Sequence, residues 1–160
     1  MTEHSEGEGN ANPAASSGAE TSQLLRARRE KLAALQQRGI APFAYRFDRT
    51  HTTSEAVAAH EVLAQATEVP NEAEGPMVRV AGRLTSWRSK GKTAFAHLAD
   101  AVGRVQLYFR RDVVGDEWFD VLQHLIDIGD VVGIDGVMFR TRAGEVTVRV
   151  ERVELLAKSL

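Results

Sequence analysis

The sequence has 160 residues, a formal net charge of -2 and no cysteine; that is enough chain for one proper core, and it excludes disulfide frameworks and thiolate metal sites. No apolar run approaches the roughly 20 residues that cross a bilayer, and the N-terminus lacks the apolar stretch of a secretory signal, so a soluble, cytoplasmic chain is expected. The small net charge conceals a segregation: residues 77–111 hold eight Lys or Arg against Asp100 alone, whereas residues 112–135 hold seven acids and no Lys or Arg, a pattern that predicts one positive side and one negative side.

Residues 1–20 are small and polar and predict a disordered tail, because they cannot bury enough apolar surface to offset chain entropy. From Thr21 to Arg38, Leu24, Leu25, Leu32 and Leu35 recur at helical spacing, and Gly39 suits the left-handed position after a helix end. The opposite face of this helix is basic, with Arg26, Arg28, Arg29, Lys31 and Arg38. Pro42 and the alternating Phe43, Tyr45 and Phe47 predict an extended connector lying across something apolar. Thr53–Gln65 reads as a second helix capped by Thr53 or Ser54. An acidic loop at 68–76, with Pro70, Gly75 and Pro76, predicts the boundary between a helical extension at 21–76 and a main domain at 77–160.

Beyond Met77 the hydrophobic period becomes two. Strands are predicted at Val78–Leu84, Thr93–Leu98 and Arg104–Phe109, separated by turns at 89–92 and 100–103. Asp116–Ile126 places Trp118, Phe119, Leu122, Leu125 and Ile126 on one helical stripe, and two further strands flank a turn at 142–144 and end near Leu156. The predicted class is mainly β. Five strands with a helix between the third and fourth is the order of the OB-fold, a Greek-key barrel, with Gly82, Gly133 and Gly136 where a coiled chain must bend. A β-sandwich is the alternative, and five strands make a poor one.

Alternation assigns Ala94, Ala96, Leu98, Val105, Leu107, Phe109, Val146, Val148 and Val150 to the core. It leaves Thr93, Phe95, His97, Arg104, Gln106, Tyr108, Glu145, Thr147 and Arg149 facing out. That outer set suits a single-stranded nucleic acid. A ring such as Phe95 stacks on an unpaired base; an amide such as Gln106 and a carboxylate such as Glu145 address base edges; Lys and Arg hold phosphates. The competing expectation is that Phe95 merely packs beneath the connector or the first helix. The SKGKT segment at 89–93 lacks the glycine a phosphate-binding loop requires and joins two strands. The histidines fall at no metal-ligand spacing, and no nucleophile–base set is present, so neither a metal site nor catalytic residues are expected.

Three long segments, RREKLAALQQRGIAPFAYRFDRTH, VAGRLTSWRSKGKTAFAHLADAVGRVQLYFRRD and DIGDVVGIDGVMFRTRAGEVTVRVERVELLAKSL, together resemble the N-terminal, anticodon-binding part of class II lysyl-tRNA synthetases. The basic leading helix followed by GIAPF, and the closing LLAKSL, favour the lysine enzyme over aspartyl and asparaginyl relatives. The resemblance implies that Phe95 stacks on an anticodon base, that Gln106, Arg88 and Glu145 read bases of a UUU-type lysine anticodon, and that Arg26, Arg28, Arg29, Lys90 and Lys92 hold the RNA backbone. Trp87 stands where many family members carry a second basic residue. The resemblance also assigns ATP, Mg and most homodimer contacts to a catalytic domain outside these residues, so the chain is expected to bind the anticodon loop of lysine tRNA without charging it. A non-specific single-strand binder and a protein-docking module are the alternatives.

Overall fold

Period-two alternation produces five strands in the computed structural model, which describes residues 13–44, 46–66 and 75–160. The strands are β1 (Met77–Lys90), β2 (Thr93–Ala99), β3 (Arg104–Arg110), β4 (Val131–Arg140) and β5 (Val146–Ala157). They close into a barrel in the order β1-β2-β3-β5-β4, every neighbour antiparallel except β3 and β5. This is the predicted barrel. The parallel seam is short, pairing only Gln106 with Thr147, Leu107 with Val148 and Tyr108 with Arg149.

The interior is filled from alternate positions, as expected. Ala94, Ala96 and Leu98 of β2, Val105, Leu107 and Phe109 of β3, and Val146, Val148 and Val150 of β5 are all buried, joined by Val78, Val80, Ile134 and Met138. The helices α3 (Arg111–Val114) and α4 (Asp116–His124) follow β3, and Phe119 and Leu122 of α4 complete the core.

β1 extends six residues past its predicted end at Leu84, and a bulge between Leu84 and Ser86 shifts its register against β2. One extra residue inverts every later side chain. Trp87 therefore turns inward, with its ring centroid 5.2 Å from that of Phe109 and 6.4 Å from that of Phe119, and Arg88 turns out. Gly91, at φ +62°, supplies the first residue of a two-residue hairpin between Lys90 and Thr93, where the positive φ suits the twist of the flanking strands.

The first helix, α1, spans Pro13–Gln37 rather than starting at Thr21, so residues 13–20 of the expected disordered tail are helical. Proline suits the first turn, and Ala14, Ala15, Ala19 and Glu20 are strong helix formers that let the helix start early. Residues 1–12 lie outside the described residues. Gly39 ends α1 as expected, at φ +75°, while Ile40 N–H donates to Leu35 O at 3.0 Å.

α2 (Thr53–Ala66) has a different cap from the one predicted. The Thr52 hydroxyl accepts from Glu55 N–H at 3.2 Å, and the Asp100 carboxylate, from the β2–β3 turn, accepts from Thr53 N–H and from the Thr53 hydroxyl, both at 2.8 Å. Asp100 also receives Val102 and Gly103 N–H at 3.1 Å. Partial burial pushes its carboxyl up, but these hydrogen bonds outweigh burial and hold it below its ordinary value. A carboxyl depressed by folding stabilises the protein above the unfolded value and loses that contribution as pH falls through the folded one. Asp100→Asn should therefore cost about 1–2 kcal/mol at neutral pH and flatten the loss of stability below pH 3.8, the ordinary carboxyl value. Urea titrations between pH 7 and 2.5 measure this; equally steep acid loss in both proteins would contradict the role.

The connector runs along β4 and β5, away from Phe95. Ala44 N–H donates to Leu156 O at 3.0 Å, and Phe47 lies against Gly133, where a Cβ would come within 2.4 Å of the ring. The Arg79 guanidinium covers that ring at 4.5 Å. Tyr45 and positions 67–74, most of the predicted boundary loop, lie outside the described residues.

Candidate nucleic-acid interface

The bulge in β1, the pleat of β2 and β3, and the turn before β5 deliver Arg88, Phe95, Gln106 and Glu145 to one open cleft of about 610 Å³. Thr93, Tyr108, Phe139, Thr141, Arg142 and Ala143 complete its lining. Phe95 lies 4.9 Å from Tyr108 between centroids, and Tyr108 lies 6.0 Å from Phe139, so the floor is a row of three rings. The Arg88 guanidinium sits 5.9 Å from the Phe95 centroid. Neither the connector nor α1 is among the residues lining the cleft.

The turn at 141–145 is braced from within. Gly144 N–H donates to Thr141 O at 2.8 Å, Thr141 N–H to Glu145 O at 3.0 Å, and Arg140 Nη1 to Gly144 O at 2.7 Å. Glu145 is exposed, with Oε1 3.4 Å from His97 Nε2, while His97 Nδ1 lies 2.8 Å from the Ser86 hydroxyl.

Two outward-facing predictions need correction. Gln106 is 9% exposed and Thr147 0%, because they oppose each other at the parallel seam and the Thr147 hydroxyl lies 2.9 Å from the Gln106 amide oxygen. Gln106 therefore reaches the cleft as a held group at its floor. Trp87 is no part of the cleft edge, since the bulge sends it into the core.

The predicted backbone-binding residues divide into two groups. Lys90 and Lys92 occupy the exposed hairpin that follows Arg88. Arg26 and Arg29 line a shallow exposed groove on α1, whereas Arg28 donates to the Ser159 hydroxyl at 3.4 Å and is partly buried. α1 is tied to the end of the barrel where β4 begins, through Lys31 with Asp127 and Arg28 with Ser159. The cleft lies at the other end of that strand, where Phe139 of β4 helps to line it.

The expected separation into a positive and a negative side also changes on folding. Antiparallel pairing of β1 with β4 sets Arg79 against Asp135 at 2.9 Å, and the short helices after β3 bring Arg110 to Asp112 at 2.7 Å and Arg111 to Asp120 at 3.3 Å. Asp127 and Asp130 pair instead with Lys158. Among the described residues no carboxylate lies within 4 Å of Arg88 in the cleft or of Lys90 and Lys92 on the adjoining hairpin, so this edge of the cleft keeps unpaired positive charge.

Phe139, Thr141 and Arg142 were missed as site residues, and Tyr108 was placed on the outer face without a role. Phe139 was accessible from alternation, since Met138 points inward, but its nearness to Tyr108 depends on barrel closure.

Residues 78–156 match the family described as OB-fold nucleic acid binding domain, of the tRNA anticodon type. The chain is 44% identical over 133 residues to a lysine–tRNA ligase of Enterococcus faecalis, covering 83% of this chain and 26% of that protein. It is 44% identical over 138 residues to one of Pelotomaculum thermopropionicum (86% and 25%), and 40% identical over 141 residues to one of Bacillus subtilis (88% and 28%). The chain thus spans about a quarter of the length of these curated relatives. A closed five-stranded barrel with an aromatic cleft, matched along its length to these proteins, places the chain in the lysyl-tRNA synthetase family as its anticodon-binding OB-fold domain.

Proposed function

We propose that the cleft receives unpaired bases of the lysine tRNA anticodon loop and selects UUU-type loops. One observation carries the reading: Arg88, Phe95, Gln106 and Glu145 come from three strands and a turn yet line the same cleft. Phe95, extended by Tyr108 and Phe139, offers stacking surface that accepts any base. Gln106 and Glu145 supply directional groups that discriminate among base edges, and Arg88 adds charge beside the ring. Lys90 and Lys92 hold flanking phosphates. Contacts of Arg26 and Arg29, at the far end of the barrel, belong to RNA beyond the loop. The same reading places the protein in the cytoplasm with its tRNA, and assigns aminoacylation with ATP and Mg, and homodimer formation, to a longer protein.

Fluorescence anisotropy on a UUU stem-loop and its single-base variants, over a salt series, tests this. Gln106→Ala should lose discrimination worth about 1–3 kcal/mol per mismatched base. Lys92→Ala should weaken all loops alike and reduce the slope of log K against log salt by about one. Equal affinity for every loop would instead identify a non-specific single-strand binder, and absence of salt-sensitive RNA binding a protein-docking module.

A further inference from the structure

We propose that Thr147 sets the polarity of the Gln106 amide and thereby makes the cleft select a base carrying an imino N–H, as uracil does at N3. This rests on the anticodon reading above and identifies a positioning residue for it. Thr147 is fully buried on the outer side of β5. Its hydroxyl oxygen has two polar neighbours, both oxygens: Gln106 Oε1 at 2.9 Å and the main-chain oxygen of Glu145 at 3.1 Å.

A hydroxyl carries a single hydrogen. The Glu145 oxygen can only accept. With the Gln106 amide oxygen facing Thr147, as it lies in the structure, two acceptors compete for that hydrogen. Turning the amide over resolves the conflict, and the two ends of an amide are told apart only by such a network. Gln106 Nε2–H then donates to Thr147 Oγ1, and Thr147 O–H donates to Glu145 O. Thr141 N–H already reaches the same Glu145 oxygen at 3.0 Å, so the chain of donors ends on the braced turn.

The consequence for recognition is a fixed acceptor, because Gln106 Oε1 now faces the cleft. Uracil offers N3–H to it, whereas cytosine offers the bare acceptor N3 and is repelled. Without Thr147 the amide turns freely and presents its NH2 to cytosine as readily as its oxygen to uracil.

The test compares wild type, Thr147→Val and Thr147→Ser, each checked for unchanged thermal unfolding, on UUU stem-loops with U, C or N3-methyluridine at each anticodon position in turn. At the position seated on Gln106, wild type should prefer U over C by about 10-fold or more, with N3-methyluridine binding as weakly as C. Thr147→Val should bring the U:C ratio to about threefold or less, chiefly through better binding of C, and Thr147→Ser should restore it. Exchange of the Gln106 side-chain amide protons, followed by NMR without RNA, should be slow in wild type and Thr147→Ser and fast in Thr147→Val. An unchanged U:C ratio, equal weakening of both loops, or equal amide exchange in wild type and Thr147→Val would overturn the proposal. If wild type itself shows no base preference, the anticodon reading fails, and amide exchange alone decides the role of Thr147.

Discussion

Phe95→Ala should weaken binding to every stem-loop by about 1–3 kcal/mol, roughly 5- to 150-fold in Kd, with little change in the ranking of loops. The ring is the part of the cleft indifferent to base identity, so its loss removes affinity without removing discrimination. Phe95→Trp should retain most of the binding, because a larger π-face replaces the lost one. The side chain lies on the outer face and contacts Tyr108 rather than the core, so thermal stability should change little. A variant that binds as tightly as wild type, or one that loses preference for a single base only, would remove Phe95 from the role of stacking platform.

The largest stability effect is expected far from the cleft, at Lys158→Met. Lys158 is 4% exposed and Asp130 0%; the ammonium contacts Asp130 at 2.6 Å and Asp127 at 2.8 Å. Asp130 also accepts from Ser159 N–H at 2.7 Å and Asp127 N–H at 2.8 Å, and Asp127 is shared with Lys31 of α1. Burial pushes the Asp127 carboxyl up, but Lys158 and Lys31 outweigh this and hold it below its ordinary value. Removing the lysine strands a buried carboxylate, and breaking such a pair costs about 3–5 kcal/mol, a large share of the usual margin of about 5–15 kcal/mol. At about 2–4 °C per kcal/mol, Tm should fall by roughly 6–20 °C. Lys158→Met combined with Asp130→Asn should recover part of the loss by removing the stranded charge. A single variant within about 1 kcal/mol of wild type would show that water, not Lys158, satisfies the acids.

Much of the barrel was legible in the sequence because alternation is local: each residue of β2 and β3 declares its face by its neighbours. The bulge in β1 was not legible. It arises where the strand must pair with both β2 and β4, and strict alternation from Leu84 would have sent Arg88 inward. Its assignment to the site rested on family resemblance, and the inversion between Leu84 and Ser86 is the physical reason Arg88 lines the cleft. The burial of Gln106 and Thr147 also escaped the pattern. An outward position is dry when the strand beside it comes from forty residues away, and nothing in the intervening sequence announces that pairing. The Lys158–Asp130 cluster was hidden for the same reason, although LLAKSL was noticed as a family mark. In α1, a polar composition suggested disorder where a proline start and several alanines extended the helix.

Barrel closure by a three-pair parallel seam has a mechanical consequence. Each of the other interfaces has at least seven register pairs, so breathing of the cylinder should begin where β3 and β5 part. Gln106 and Tyr108 stand on one bank of that gap and Thr147 on the other, and an occupant lying across them acts as a clasp. Occupancy and opening then exclude each other, and the amides of Leu107 and Val148 should exchange with solvent more slowly once RNA is seated.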